Sequence, residues 1–348
     1  MTRMTARRFS RPEDRARYGA SRRALLRGTA LILAAIAITD VQSVHAQPQT
    51  PAWPTKPLRI VVPFPPGGAN DTVARTVGPL LAARLGQPVT IENRPGGGSN
   101  LAMEAVARSD PDGHTILFAS VAAAINPALY RMSFDPQRDL APVVLLTRLH
   151  LMLFARAGLE ATTVSDVLRL ARMRPGAITC AASAGGTPQM GCELLQSLGE
   201  VRIVNVLYKG SSLSMLDLAA GHVDIAMDMP AAAAAHVASG RVKPLGVADQ
   251  RPHTSRFGRL PLIADSIPGF ELNSWGAMFV AAGTPGAVIE RLNREFNAIL
   301  LEPAVRLKLR EIDGEPGGGS PQDLADRLRA DTATYARIAR NAGLRPSD

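Results

Sequence analysis

From Leu58 onward, short β-branched runs alternate with stretches of helical spacing. Leu58 to Val62 reads as a buried strand, ended by Pro63-Phe64-Pro65-Pro66-Gly67-Gly68. Asp71 to Leu85 follows with apolar residues at Val73, Val77, Leu80, Leu81 and Leu85, and Gly86 stops it. Val89 to Asn93 is a second strand, Arg94 to Asn100 a second Gly-rich turn, Ala102 to Arg108 a helix and Thr115 to Ala119 a third strand. This β-loop-α order predicts a parallel sheet with crossover helices. A strand at Leu151 to Ala155 precedes a restart of the pattern. Helices are expected at 164–173, from Pro188 to Leu198, and at 212–220 and 230–239. Strands are expected at 177–181, 203–206, 224–227 and 243–248. Trp275 to Val280 resumes a strand, and 285–300 has the spacing of a strongly amphipathic helix. Two further helices, roughly 303–311 and 321–342, end the pattern. The fold class is α/β.

The chain of 348 residues is long for one domain and ample for two. Apolar residues reach 46% and aromatics only 4%, so small aliphatic side chains must build the core. The net charge of +9 is concentrated at the N-terminus: residues 1–46 hold nine Arg against three acids, or +6, which leaves +3 for the rest. No basic run with interleaved aromatics occurs later, which excludes a nucleic-acid partner as the expectation.

Residues 1–46 read as a signal peptide. Arginines from Arg3 to Arg27 lead into an apolar stretch, Gly28 to Ile38, and Val44-His45-Ala46 offers cleavage before Gln47. Ser21 to Arg27 fits a twin-arginine signal, and an ordinary secretory peptide fits equally. The expected location is the periplasm. There, Cys180 and Cys192 could bridge, but their spacing across a Gly-rich turn leaves this open.

Ligands in open α/β sheets bind beyond the carboxyl ends of strands, where loops enter helices. Three Gly-rich loops stand there: Pro63–Asp71, Arg94–Asn100 and Ala181–Pro188. None has nucleotide-binding spacing, and neither a cofactor nor a metal is expected. No Gly-x-Ser-x-Gly elbow occurs, and His114, His150, His222, His236 and His253 are scattered. Asp71 is read as a helix cap rather than a catalytic acid. Asp224 and Asp228 share a face of one predicted strand, as a carboxylate pair, a cation site or a strand end. A hydrolase using Ser183 or Cys180 would lack a paired His and an orienting acid in any recognisable motif, so the chain is expected not to be an enzyme.

An ordered set of blocks carries a family resemblance. Trp53 to Phe64 runs into Gly67-Gly68, Asp71 and Arg75. Then come Gly86-Gln87-Pro88-Val89, Glu92 to Gly96, Pro111 to Leu117, Asn126-Pro127, Tyr208-Lys209-Gly210, Gly221 to Asp224, Trp275-Gly276 and Ala282 to Pro285. Over nearly all of the mature sequence the chain resembles the receptors of tripartite tricarboxylate transporters, the Bug or TctC-type extracytoplasmic solute receptors. The resemblance implies a two-domain, periplasmic-binding-protein-like (Venus flytrap) fold with a hinge and an interdomain ligand cleft. Residues 54–154 plus 275–348 would form one domain and 155–274 the other. It implies a monomer capturing a small carboxylate, such as a di- or tricarboxylate or acidic amino acid. The partner would be a membrane permease or a sensor protein. By the same resemblance, Phe64, Pro65, Pro66, Gly67, Gly68, Ala69, Asn70 and Asp71 form one side of the site. Ser120, Ala182, Ser183, Gly186, Thr187, Tyr208 and Asp228 would face them. The chain departs from the family at Ala181-Ala182, where a Gly-Ser pair is usual. It also departs at Gln189-Met190-Gly191, which is shorter than usual, and at Met229, which replaces an Asn. A carboxylate near Asp228 would be repelled unless that acid is hydrogen-bonded or turned away. These departures move the expected ligand toward a neutral, amide-bearing or larger molecule.

Overall fold

Strands buried on both faces need apolar side chains at successive positions, and the chain supplies them in Thr115–Ser120, Met152–Arg156 and Ile225–Asp228, where nearly every residue is buried. The computed structural model describes residues 53–67, 69–184, 186–249 and 254–346; the N-terminal segment and Gly68 lie outside the described residues. Six strands form a first sheet: β1 (Leu58–Val62), β2 (Val89–Asn93), β3 (Thr115–Ser120), β4 (Leu140–His150), β12 (Asn273–Ala281) and β13 (Gly314–Gly318). A second sheet holds β5 (Met152–Arg156), β6 (Thr179–Ser183), β7 (Val204–Tyr208), β8 (Ile225–Asp228) and β9 (Val242–Val247). A short antiparallel hairpin, β10 (Thr254–Ser255) and β11 (Gly258–Arg259), lies between β9 and β12 in sequence.

The first sheet runs β13-β4-β12-β3-β1-β2 and the second β7-β6-β8-β5-β9. Parallel pairing is confined to β1 with β2 and β3, and to β6 with β7 and β8. Strands β12, β4 and β13 pair antiparallel, as does β5 with β8 and β9. The sheets are therefore mixed, where the sequence pattern suggested parallel ones. The chain passes from the first sheet to the second at Leu151 and returns between β9 and β12.

Helices cover both faces. They are α1 (Ala69–Leu85), α2 (Asn100–Ala107), α3 (Ala122–Leu129), α4 (Pro136–Asp139), α5 (Val164–Met173), α6 (Thr187–Gly199), α7 (Ser211–Ala220), α8 (Pro230–Ala238), α9 (Gly286–Ile299), α10 (Pro303–Glu311) and α11 (Pro321–Asn341). Alternate strand residues feed different cores. Ile60, Val62, Ile116 and Phe118 pack with Val73 and Val77 of α1 and with Leu292 and Phe296 of α9. Val61, Leu117 and Ala119 belong to another core, shared with Leu153, Met227 and Leu328. Met152, Phe154 and Ala226 face α7 and α8. Helix α11 packs against α3, α6 and β4, so one C-terminal helix touches structure from both sheets.

Cys180 and Cys192 form a disulfide. Strand β6 and the α6 helix that follows it are packed face to face, which brings the two Cα atoms to 6.2 Å. Among the described residues, no helix is long and apolar enough to cross a membrane.

Candidate functional site

The carboxyl ends of β1, β2 and β3 lie on one edge of the first sheet. The antiparallel pairing of β12 with β3 sets Gly276 opposite Ser120, so Ser274 and Trp275 reach the same edge. In the second sheet, Ser183, Tyr208 and Asp228 end β6, β7 and β8. Loops from both edges line one cleft of about 590 Å³.

Six helices begin at this cleft. Its lining includes Asn70 of α1, Gly98 and Ser99 before α2, Val121 and Ala122 at the start of α3, and Gly186, Thr187 and Pro188 at the start of α6. Ser211 opens α7, and Met229 precedes α8. First-turn N–H groups have no partner inside their helix, and the helix dipole adds partial positive charge there. Such a convergence favours an anion without a cationic side chain.

A network of short-range contacts holds the first-sheet loops. Asp71 is 2% exposed, and its carboxylate accepts from Gly67 N–H (2.8 Å), Arg75 Nε (2.9 Å) and Asn93 Nδ2 (2.8 Å). Asn93 Nδ2 also donates to the Phe64 carbonyl at 3.0 Å, which ties the loop after β1 to the end of β2. The Arg75 guanidinium, helped by the Gly67 N–H and Asn93, holds the Asp71 carboxyl well below the usual range, at about 2. In the second loop, buried Asn126 donates to the Gly98 carbonyl and to Asn100 Oδ1, both at 2.7 Å. Ser99 is held in the left-handed region, with φ 81°, a conformation costly for a residue with a Cβ.

On the second-sheet wall, Asp228 is fully buried. It accepts from Ser211 Oγ (2.8 Å), the Met229 N–H (2.8 Å) and Ser214 Oγ (3.3 Å). Burial pushes its carboxyl up from the usual value, and those three donors oppose the shift. Ser183 Oγ lies 3.2 Å from Ser211 Oγ. Helix α11 contacts both walls: Trp275 Nε1 donates to Asp331 at 2.7 Å, and Thr187 is hydrogen-bonded to Tyr335.

Of the residues expected at the site, Phe64, Pro65, Asn70, Ser120, Ser183, Gly186, Thr187 and Asp228 line this cleft. Pro66 and Gly67 belong to its first loop and are not among the described lining residues, Ala69 opens α1, and Gly68 lies outside the described residues. Asp71 sits behind the loop as its anchor. Ala182 points into the core, because it shares a strand face with Cys180. The Tyr208 hydroxyl is turned to Asp217 Oδ2 at 2.7 Å, away from the cleft lining. Asp224 and Asp228 form no pair. Asp224 precedes β8 and binds Arg156 Nε, the Thr179 N–H and Thr179 Oγ1, each at 3.0 Å, while Asp228 ends the strand. Pro95, Gly96, Gly98 and Ser99 come with the second Gly-rich loop, whereas Val121, Leu149, Ser211, Ser274 and Trp275 join the cleft without local sequence signals. The antiparallel return of β12 brings in the last two.

Two sheets of mixed α/β type, with strand ends and helix starts facing one cleft, define the periplasmic-binding-protein-like class. Within it, the chain belongs to the tripartite tricarboxylate transporter receptor family, whose sequence pattern matches residues 73–344. A protein encoded in the tcbD-tcbE intergenic region of Pseudomonas sp. strain P51 is 34% identical, over 89% of this chain and 94% of its own. Protein BugT of Bordetella pertussis is 29% identical over 84% and 90%. Among solved structures, Rpa4515 of R. palustris, determined with adipate, has a TM-score of 0.74 and 35% identity, covering 85% of this chain and all of its own. MatC of Rhodopseudomonas palustris with bound malate has a TM-score of 0.68 and 28% identity, over 82% and 99%. The family is one of periplasmic solute receptors, and carboxylates occupy these two neighbours.

Proposed function

We propose that this chain is a periplasmic receptor that captures a small carboxylate-bearing solute and hands it to a tripartite tricarboxylate-type permease without converting it. The observation that carries this reading is the cleft itself, where helix N-termini converge from both sheets and no Lys, Arg or His side chain contributes among the described lining residues. A carboxylate is then held by backbone N–H groups and hydroxyls rather than by ion pairs. The occupation of two neighbours by adipate and malate supports the same chemistry. A hydrolase reading has no support here. Ser183 meets Ser211, and the acid beyond it is Asp228, with no imidazole between them.

In this reading residues 1–46 are removed on export, near Ala46-Gln47. Residues 54–154 with 275–348, and residues 155–274, are the two bodies that close on the ligand. Ligand contacts come from Asn70, Ser99, Ser120, Ser183, Gly186, Thr187 and their neighbours. Capture shifts the population toward a closed form that presents a surface built by both bodies. Calorimetry with a panel of small carboxylates, paired with small-angle scattering, tests this. Saturable one-to-one binding with compaction is expected. No binding across the panel, or binding without compaction, contradicts it.

A further inference from the structure

Helix α11 carries a row of buried side chains at Leu324, Leu328, Tyr335 and Ile338, spaced as a helix face turned to a core requires. Asp331 stands in the same row, between Leu328 and Tyr335, where an apolar residue is expected. An acid is tolerated on a packed face when donors meet it. Here the indole Nε1 of Trp275 donates to Asp331 Oδ2 at 2.7 Å. Arg327 Nε, one turn back on α11, donates to the same oxygen at 2.8 Å. One turn further on, buried Tyr335 is hydrogen-bonded to Thr187.

These two partners belong to opposite walls of the cleft. Trp275 arrives on β12 of the first sheet, and Thr187 opens α6, which follows β6 of the second. Both line the cleft. Asp331 and Tyr335 are not among its described lining residues. They line a separate cavity of about 280 Å³, together with Glu271 and Leu272. Those two residues immediately precede β12, on the passage by which the chain returns from the second sheet to the first. Residues four apart share one helix face. One turn of α11 therefore meets a residue from each cleft wall and the crossover that joins the walls.

Both contacts are buried, so losing either leaves a polar group without its partner, and the indole ring or the start of α6 then relaxes by shifting. A lining group that has loosened must be ordered again when a solute arrives, which weakens binding. Resting on the receptor reading above, we infer that Asp331 and Tyr335 are positioning residues for capture. Without touching the solute, they hold Trp275 and Thr187, one from each wall, where the solute meets them.

Calorimetry on the full mature protein, stripped of any bound solute, tests this with adipate and malate as probes. Asp331→Ala is expected to weaken binding about tenfold. Asp331→Asn is expected to recover most of that loss, because one amide oxygen can accept both bonds that now fall on Oδ2. Tyr335→Phe is expected to cost about fivefold in the wild-type background and under about twofold in a Thr187→Val background, because its effect passes through Thr187. Unaltered affinity in Asp331→Ala, no recovery by Asn, or equal losses from Tyr335→Phe in both backgrounds overturns the inference and leaves the receptor reading standing. Should Asp331→Ala not fold, as circular dichroism would reveal, the cycle of Tyr335 with Thr187 decides. Failure of the wild type to bind both probes overturns the inference and the receptor reading together.

Discussion

Asp71→Asn changes one oxygen to nitrogen and keeps the side chain's shape, yet it removes the charge on which the first cleft loop converges. The wild-type carboxylate, 2% exposed, gathers Gly67 N–H, Arg75 Nε and Asn93 Nδ2. Its carboxyl is held at about 2 in the folded protein, below the ordinary 3.8. At ~1.36 kcal/mol per unit this is worth about 2 kcal/mol for the ionised over the protonated form. Arg75, the largest contributor, is 51% exposed, and solvent screening trims the figure to roughly 1–2 kcal/mol. The folded value is depressed, so this stability is complete above the unfolded value and is lost as pH falls through the folded one. Urea unfolding of both proteins at about pH 7 and about pH 2 measures the gap. The variant is expected to be less stable near neutrality, with the gap narrowing by about 1 kcal/mol or more on acidification. A gap of the same size at both pH values refutes the idea that the ionised carboxylate holds the loop. The loop from Phe64 to Gly67 is also expected to loosen, weakening carboxylate binding in the variant at neutral pH.

Ser99→Gly is expected to raise stability by up to about 1 kcal/mol by relieving a left-handed residue, while weakening ligand affinity through loss of a cleft hydroxyl; thermal unfolding and calorimetry read the two effects separately. Trp275→Phe removes the donor to Asp331 and one of two tryptophans in the chain. It is expected to abolish the ligand-induced change in intrinsic fluorescence, and a change that persists assigns the signal to Trp53. Reduction of the Cys180–Cys192 bridge, which closes a loop of separation 12, is expected to cost about 3 kcal/mol in urea unfolding; an unmoved midpoint after verified reduction contradicts that.

Much of the fold was legible because its signals are local. Helix α9 shows its buried face as Val288, Leu292, Phe296 and Ile299, and the strands of both sheets read as apolar runs. Other elements lack such signals. Helix α3 is buried nearly all round and contains Pro127, so no polar face marks its period. Strand β4 contains Pro142, and its pairing with β12 is interrupted by register shifts. Strand β13, Gly-Glu-Pro-Gly-Gly, has no strand propensity; Gly317 stands there because a Cβ would come within 2.4 Å of the Leu145 carbonyl oxygen. At the site, the glycine-rich loops announced the strand ends. The hydroxyl relay through Ser211 did not, because it depends on α7 beginning beside the end of β8. Tyr208 and Ala182 illustrate the converse: a residue can end or occupy the right strand and still face Asp217 or the core.

The central claim is that this chain captures a carboxylate-bearing solute and leaves it unchanged. Native mass spectrometry of the protein purified without unfolding tests it most directly. The account predicts one small carboxylate-bearing molecule per chain, released on unfolding and identical in mass after prolonged incubation with the protein. A solute converted to a product, or a chain that carries no solute and takes up none from a carboxylate mixture, would contradict it.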